Sequence, residues 1–136
     1  MRRKLDDAWS IDLTGAWQRE RPVAGLTTWR TPGRSMRVGG VVWRCASAAD
    51  IIASIDLELP ADPVGKVGEG GSGGVGARAA WLYRDTGDAH YTLYGYNFTD
   101  GEGLETVFVS ADTADTAWAF AAWRSVTHEG SQHAGR

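Results

Sequence analysis

The chain predicts an α+β domain: an antiparallel β-sheet with a short helix and a long C-terminal helix packed on one face. Three observations carry this. Runs of alternating apolar and polar residues recur between turn signals. A Ser47…Asp50 pair opens one stretch with helical spacing. A second stretch, Ala117 to Trp123, is apolar on all sides and reads as a deeply buried helix near the C-terminus.

In chain order, residues 1–8 are expected to be a flexible charged arm. Trp9-Ser10-Ile11-Asp12-Leu13 alternates as a half-buried strand does, and Thr14-Gly15 turns it. Leu26 to Arg30 and Met36 to Trp43 read as strands separated by the Thr31-Pro32-Gly33 turn. Gly39-Gly40 inside the second points to a bulge or a close backbone approach. From Ser47 the apolar stripe Ile51, Ile52, Ile55 and Leu59 predicts a short helix, stopped by Pro60 and Pro63; its β-branched isoleucines keep a strand open. Residues 64–76 hold seven glycines and read as a flexible loop. Ala77 to Arg84 and Ala89 to Phe98 form a hairpin, and Leu104 to Ser110 completes a meander. Asp112 and Asp115 are expected to cap the last helix, from about Thr113 to Thr127. The domain is therefore expected to span 9–127, with a disordered tail at 128–136.

Composition bounds the function. With 136 residues, one cysteine and a net charge of −3, the chain is one domain without an internal disulfide. Its charge offers no basic field for nucleic acid. Asp6 and Asp7 interrupt the apolar run that a signal peptide needs after Arg2-Arg3-Lys4, and no stretch reaches membrane-spanning length. A cytoplasmic protein without cofactor, membrane or nucleic-acid partner is expected, its partner being another protein or a second copy of itself.

Several motifs invite chemistry. Gly68-Glu69-Gly70-Gly71-Ser72-Gly73 satisfies G-x-G-x-x-G, and Gly70 to Gly74 fits G-x-S-x-G. Both require a strand leading into a helix, whereas this segment leads into a strand, so a loop is expected. Three histidines and Cys45 give no zinc spacing, and no metal site is expected. The hairpin offers more. With Thr86-Gly87 as its turn, Tyr83 pairs with His90, Trp81 with Thr92 and Ala79 with Tyr94. One face then carries Trp81, Tyr83, His90, Thr92, Tyr94 and Tyr96, aromatic but polar-tipped, as binding surfaces often are. The other, with Ala80, Leu82, Tyr91, Leu93 and Gly95, suits packing beneath a helix that bears Trp118 and Trp123. Trp81, Tyr83, His90, Tyr94 and Tyr96 are accordingly the candidate binding residues, and no catalytic residue is assigned. Of the seven tryptophans, Trp9, Trp17, Trp118 and Trp123 are expected in one core, and Trp29 and Trp43 stay unassigned.

Two signatures carry a family resemblance. Ile11-x-Leu13-Thr14-x-x-Trp17 resembles the first strand, I-x-L-P-x-x-W, of the PsbP-like fold group, with Thr14 where proline is usual. Trp118 through Trp123-Arg124-Ser125-Val126 is similar to that group's terminal helix. The group includes photosystem extrinsic subunits, DcrB-type lipoproteins and Eag-type chaperones. It shares no catalytic residues, so the resemblance implies a binding or accessory role and transfers no site residue. The leading expectation is a non-enzymatic protein-binding module with an exposed aromatic sheet face. The alternative is a small-ligand binder or enzyme, with the aromatics lining a pocket and His90, Arg84 or Glu105 as polar handles.

Overall fold

The structure, a computed structural model, describes residues 1–42, 47–85, 90–110 and 115–129. Its elements are β1 (Arg2–Lys4), β2 (Trp9–Asp12), β3 (Gln18–Arg19), β4 (Thr27–Thr31), β5 (Arg34–Val42), α1 (Ala48–Glu58), β6 (Gly65–Gly70), β7 (Ala77–Arg84), β8 (Tyr91–Phe98), β9 (Glu102–Ser110), α2 (Ala117–Arg124) and β10 (Thr127–His128). A seven-stranded sheet runs β3-β4-β5-β9-β8-β7-β6, and a three-stranded sheet runs β1-β2-β10. Every pairing between these strands is antiparallel.

The expected fold class needs correction. The described residues are mostly β-sheet, 49% strand against 17% helix, and include no long C-terminal helix. α2 stops at Arg124, because Thr127 and His128 pair with Ser10 and Trp9 of β2. Its N-cap, Thr116, makes no side-chain capping bond, and the Asp115 carboxylate turns to Arg34 instead; Asp112 lies outside the described residues. Nor do the helices share one face. α2 lies over the side bearing Ala80 and Leu93, and α1 over the side bearing Ala79 and Trp81.

Three segments read as irregular are partly strands. The charged arm contains β1, whose Arg2 to Lys4 pair with Asp12 to Ser10. The glycine-rich segment contains β6, paired along its length with β7. His128, placed in the tail, belongs to β10 and is buried, its ring edge-on to Trp9 at 4.6 Å. Residues 130–136, Trp43 and the Thr86-Gly87 turn lie outside the described residues.

The short helix forms where its capping signal predicts. The Ser47 Oγ accepts from the Asp50 N–H, and the Asp50 carboxylate accepts from the Ser47 N–H. The Leu59 N–H closes it on the Ile55 carbonyl before Pro60.

The main core fills the space between the large sheet, α2 and the small sheet. Trp9, Ile11, Leu13, Trp17, Trp29, Met36, Phe108, Trp123 and Val126 are buried there, with Trp118 packed against them. Gly95 makes this packing possible: a Cβ there would lie 2.7 Å from Trp123 Cδ1. Arg78 is buried in the same layer. Its Nε donates to Asn97 Oδ1 at 2.9 Å, its Nη1 to the Arg124 carbonyl at 2.7 Å and its Nη2 to the Val126 carbonyl at 3.3 Å. The cation thus satisfies the carbonyls left open where α2 ends, while burial lowers its pKa.

Candidate functional site

The aromatic face rests on the β7–β8 register. Trp81 pairs with Tyr94, Ala79 with Tyr96 and Tyr83 with Thr92, a shift of two residues from the expected pairing. A shift of two leaves each side chain on its face, so Trp81, Tyr83, Tyr94 and Tyr96 do come together, joined by Phe98. Trp81 and Tyr96 meet edge-to-face at 5.7 Å, as do Tyr83 and Tyr94 at 5.6 Å; Tyr96 stacks on Phe98 at 6.2 Å.

This face is not open. Ala48, Ile51, Ile52, Ile55 and Leu59 of α1 and its C-cap lie on it, leaving Trp81 at 0%, Phe98 at 1% and Tyr96 at 5% exposure. The expectation of an exposed aromatic patch is therefore corrected: only Tyr83 and Tyr94 are half-exposed. The apolar stripe that predicted α1 is what covers the floor, since a helix with an apolar side needs an apolar surface.

Two of the polar tips fasten the cover, and the third ties β8 to β9. Trp81 Nε1 donates to Asp56 Oδ1 at 2.8 Å, and Lys66 Nζ lies 3.1 Å from the same oxygen. The Tyr83 hydroxyl donates to the Pro60 carbonyl at 2.6 Å, just beyond α1, and the Tyr96 hydroxyl to Glu105 Oε2 at 2.5 Å. The indole N–H, then Lys66, hold the Asp56 carboxyl below its usual pKa. Burial raises the pKa of the Tyr83 phenol, and the nearby Asp56 charge adds to it. Burial raises that of Tyr96 further, reinforced by its bond to Glu105.

His90 stands apart from this cluster. Its Nε2 lies 3.1 Å from Asp85 Oδ2, which also accepts from Thr92 Oγ1 at 3.0 Å. The histidine lines a hollow of about 320 Å³ at the end of the sheet, with Arg30, Arg34, Ser35 and Val109.

Sequence reasoning missed Arg34 and Asp56. Arg34 borders three hollows, of about 140, 410 and 320 Å³. Its Nε and Nη2 both donate to Asp115 Oδ2, at 3.0 and 2.6 Å, and its guanidinium sits 4.9 Å from the Trp118 ring centroid. Its position after the Pro32-Gly33 turn was a weak signal, and the Asp115 partner is 81 residues away. Asp56 was legible in principle, one residue after Ile55 of the apolar stripe. Among the described residues, no group of three or more His, Cys, Asp or Glu could hold a metal ion. None of their helices is long and apolar enough to cross a membrane.

No protein-family model matches the chain, and no curated protein does. Among solved structures it is similar to a Bacteroides thetaiotaomicron VPI-5482 protein determined at 1.50 Å, with a TM-score of 0.63 and 13% identity. The match covers 88% of this chain and 44% of that one. The chain thus spans less than half the length of that neighbour. At this identity the likeness shows the fold alone.

Proposed function

We propose that this chain is a non-enzymatic protein-binding module, related to the PsbP-like group, whose aromatic floor takes an apolar helix of another protein in the place α1 occupies. One observation carries the reading: α1 lies on a buried aromatic floor, yet none of its own residues is fully buried. A helix held on one side only opens at a lower free energy than the whole domain unfolds. The floor it uncovers suits a helix with apolar anchors at i, i+3, i+4 and i+7. The three ring pairs supply edges and faces for such anchors, and Lys66, released from Asp56 when α1 leaves, stays at the rim to meet an acidic group of the incoming helix.

The test uses α1 itself as probe. A fluorescent peptide copying residues 47–59 is titrated into the wild-type chain and into Ile55→Ala, with fluorescence anisotropy as readout. Loosening α1 raises the fraction of open floor, so the variant binds about tenfold more tightly than wild type. Absence of peptide binding to both chains, with α1 amides exchanging only on global unfolding, removes the reading.

A small-ligand function is the second reading, favoured by the hollow beside the His90–Asp85 pair, where Arg30, paired with Glu20, and Arg34, paired with Asp115, present guanidinium groups that an anion could share. Titration with inorganic phosphate, followed by NMR of the His90 ring, tests it. Resonances that do not move, or that move equally in Arg34→Met, rule it out.

A further inference from the structure

The large sheet ends on one side in the two-residue β3 and on the other in the six-residue β6. β6 pairs only with β7 among the described strands. The Gly71 N–H donates to the Gly76 carbonyl at 3.3 Å, continuing the register in which Gly70 faces Ala77. Hydrogen-bonded residues alternate along an antiparallel ladder. Gly65, Val67 and Glu69 therefore turn their main chain toward β7, and Lys66, Gly68 and Gly70 turn theirs outward. Burial agrees: those three are exposed, and the alternate residues are half-buried. At a glycine, exposure is exposure of the backbone itself.

Nothing among the described residues demands glycine at 68 or 70. Neither has a positive φ, and a Cβ on either would meet nothing within 4 Å. Glycine inside a strand costs about 0.5–1 kcal/mol relative to alanine, and it often marks the close approach of another backbone. Exposed edges are commonly guarded by an outward lysine. Here Lys66 is folded back onto its own chain, at Asp56 and 5.7 Å from the Trp81 ring centroid. Large apolar side chains are also exposed beside this edge. Val64, 59% exposed, immediately precedes β6, and Leu57, 87% exposed, follows the Asp56 that reaches Lys66.

We propose that β6 pairs antiparallel with β6 of a second copy about a two-fold axis at Gly68, joining two sheets into one. A two-fold axis perpendicular to the sheet keeps each face on its own side, so paired residues must have the same parity. The outward residues meet this condition. Gly68 lies opposite Gly68 of the second copy, and Lys66 lies opposite Gly70, which has no side chain to obstruct it. Each outward N–H and C=O finds a main-chain partner. Val67 lies opposite Glu69 on the other face, and Leu57 and Val64 approach the joint. The main-chain ladder along β6 uses none of the rings of the aromatic floor, although Lys66 borders both, so the dimer stands whether or not the floor binds a helix.

Sedimentation velocity from micromolar to millimolar concentration tests the proposal on the intact chain. Wild type is expected to sediment at about twice its 14.7 kDa. Gly68→Lys, which sets like charges face to face across the axis, returns it to monomer. In a Cys45→Ser background, Gly68→Cys cross-links into a disulfide dimer, since opposed Cα atoms lie about 5.5 Å apart in such a pair. Ser54→Cys, exposed on α1, does not. Should Gly68→Lys lose its fold by circular dichroism, the cross-link decides. A wild-type monomer at every concentration overturns the proposal, as does a dimer that tolerates Gly68→Lys and fails to cross-link through residue 68.

Discussion

α2 and α1 lie on opposite faces of one sheet, and the shorter is the better anchored. α2 has eight residues and fully buries Ala119, Ala122 and Trp123. Gly95 opens a pit in the sheet for the Trp123 indole, whose N–H donates to the Tyr96 carbonyl at 3.1 Å. α1 has eleven residues and fully buries none; it rests on a floor of rings and is tied by Asp56 to Trp81. Helix length therefore says little about anchorage. What decides it is whether the sheet offers a recess, so that side chains are surrounded rather than covered on one side.

The largest expected effect lies on the α2 face. Trp123→Ala empties the pit and is expected to cost about 3–5 kcal/mol of global stability, measured by urea denaturation. A loss below about 1 kcal/mol would mean that the recess at Gly95 is not what anchors α2. Gly95→Ala attacks the same contact by overpacking and is expected to cost about 1–3 kcal/mol. Because Trp123→Ala removes the closest contact and leaves only Thr106 Oγ1 at 3.1 Å, the double variant should lose less than the sum of the two, as a double-mutant cycle will show.

On the α1 face, Ile55→Ala is expected to cost about 1–2 kcal/mol, less than a fully buried site because the side chain is half-exposed. The loss should show first as faster hydrogen exchange across α1, with β7 and β8 still protected. Exchange rising equally in α2 would mean that the two helices open together. The smallest effect is that of pH. Asp56 has a folded pKa below that of an unfolded carboxyl, about 3.9. Its contribution is therefore present above that value and lost as pH falls through the lower folded value. Acidification below about pH 4 should modestly speed amide exchange in α1 while α2 stays protected, and Asp56→Asn should flatten that response. An unchanged α1 exchange profile down to the acid transition of the whole domain would contradict it.

Part of the fold and of the candidate site was legible because local patterns decide it. The capping box and the stripe Ile51, Ile52, Ile55 and Leu59 predict α1 within a residue or two. The period of two along β7 and β8 puts Trp81, Tyr83, Tyr94 and Tyr96 on one face, and that survives a two-residue error in register. The rest depends on distant chain. The length of α2 is cut short because β10 gains more by pairing with β2 than by continuing a helix. β6 is a strand despite its glycines because β7 offers a ladder. Arg34 and Asp115 meet only after β5 and the start of α2 are brought together.

Which segments alternate, where α1 begins and ends, and which aromatics share a face all follow from chemistry within a few residues. That α1 and α2 take opposite faces, that α1 covers the aromatic floor and that a glycine-rich stretch becomes a sheet edge depend instead on the packing of the whole domain. Those choices compare the burial and pairing that distant segments offer one another, and no local pattern encodes that balance.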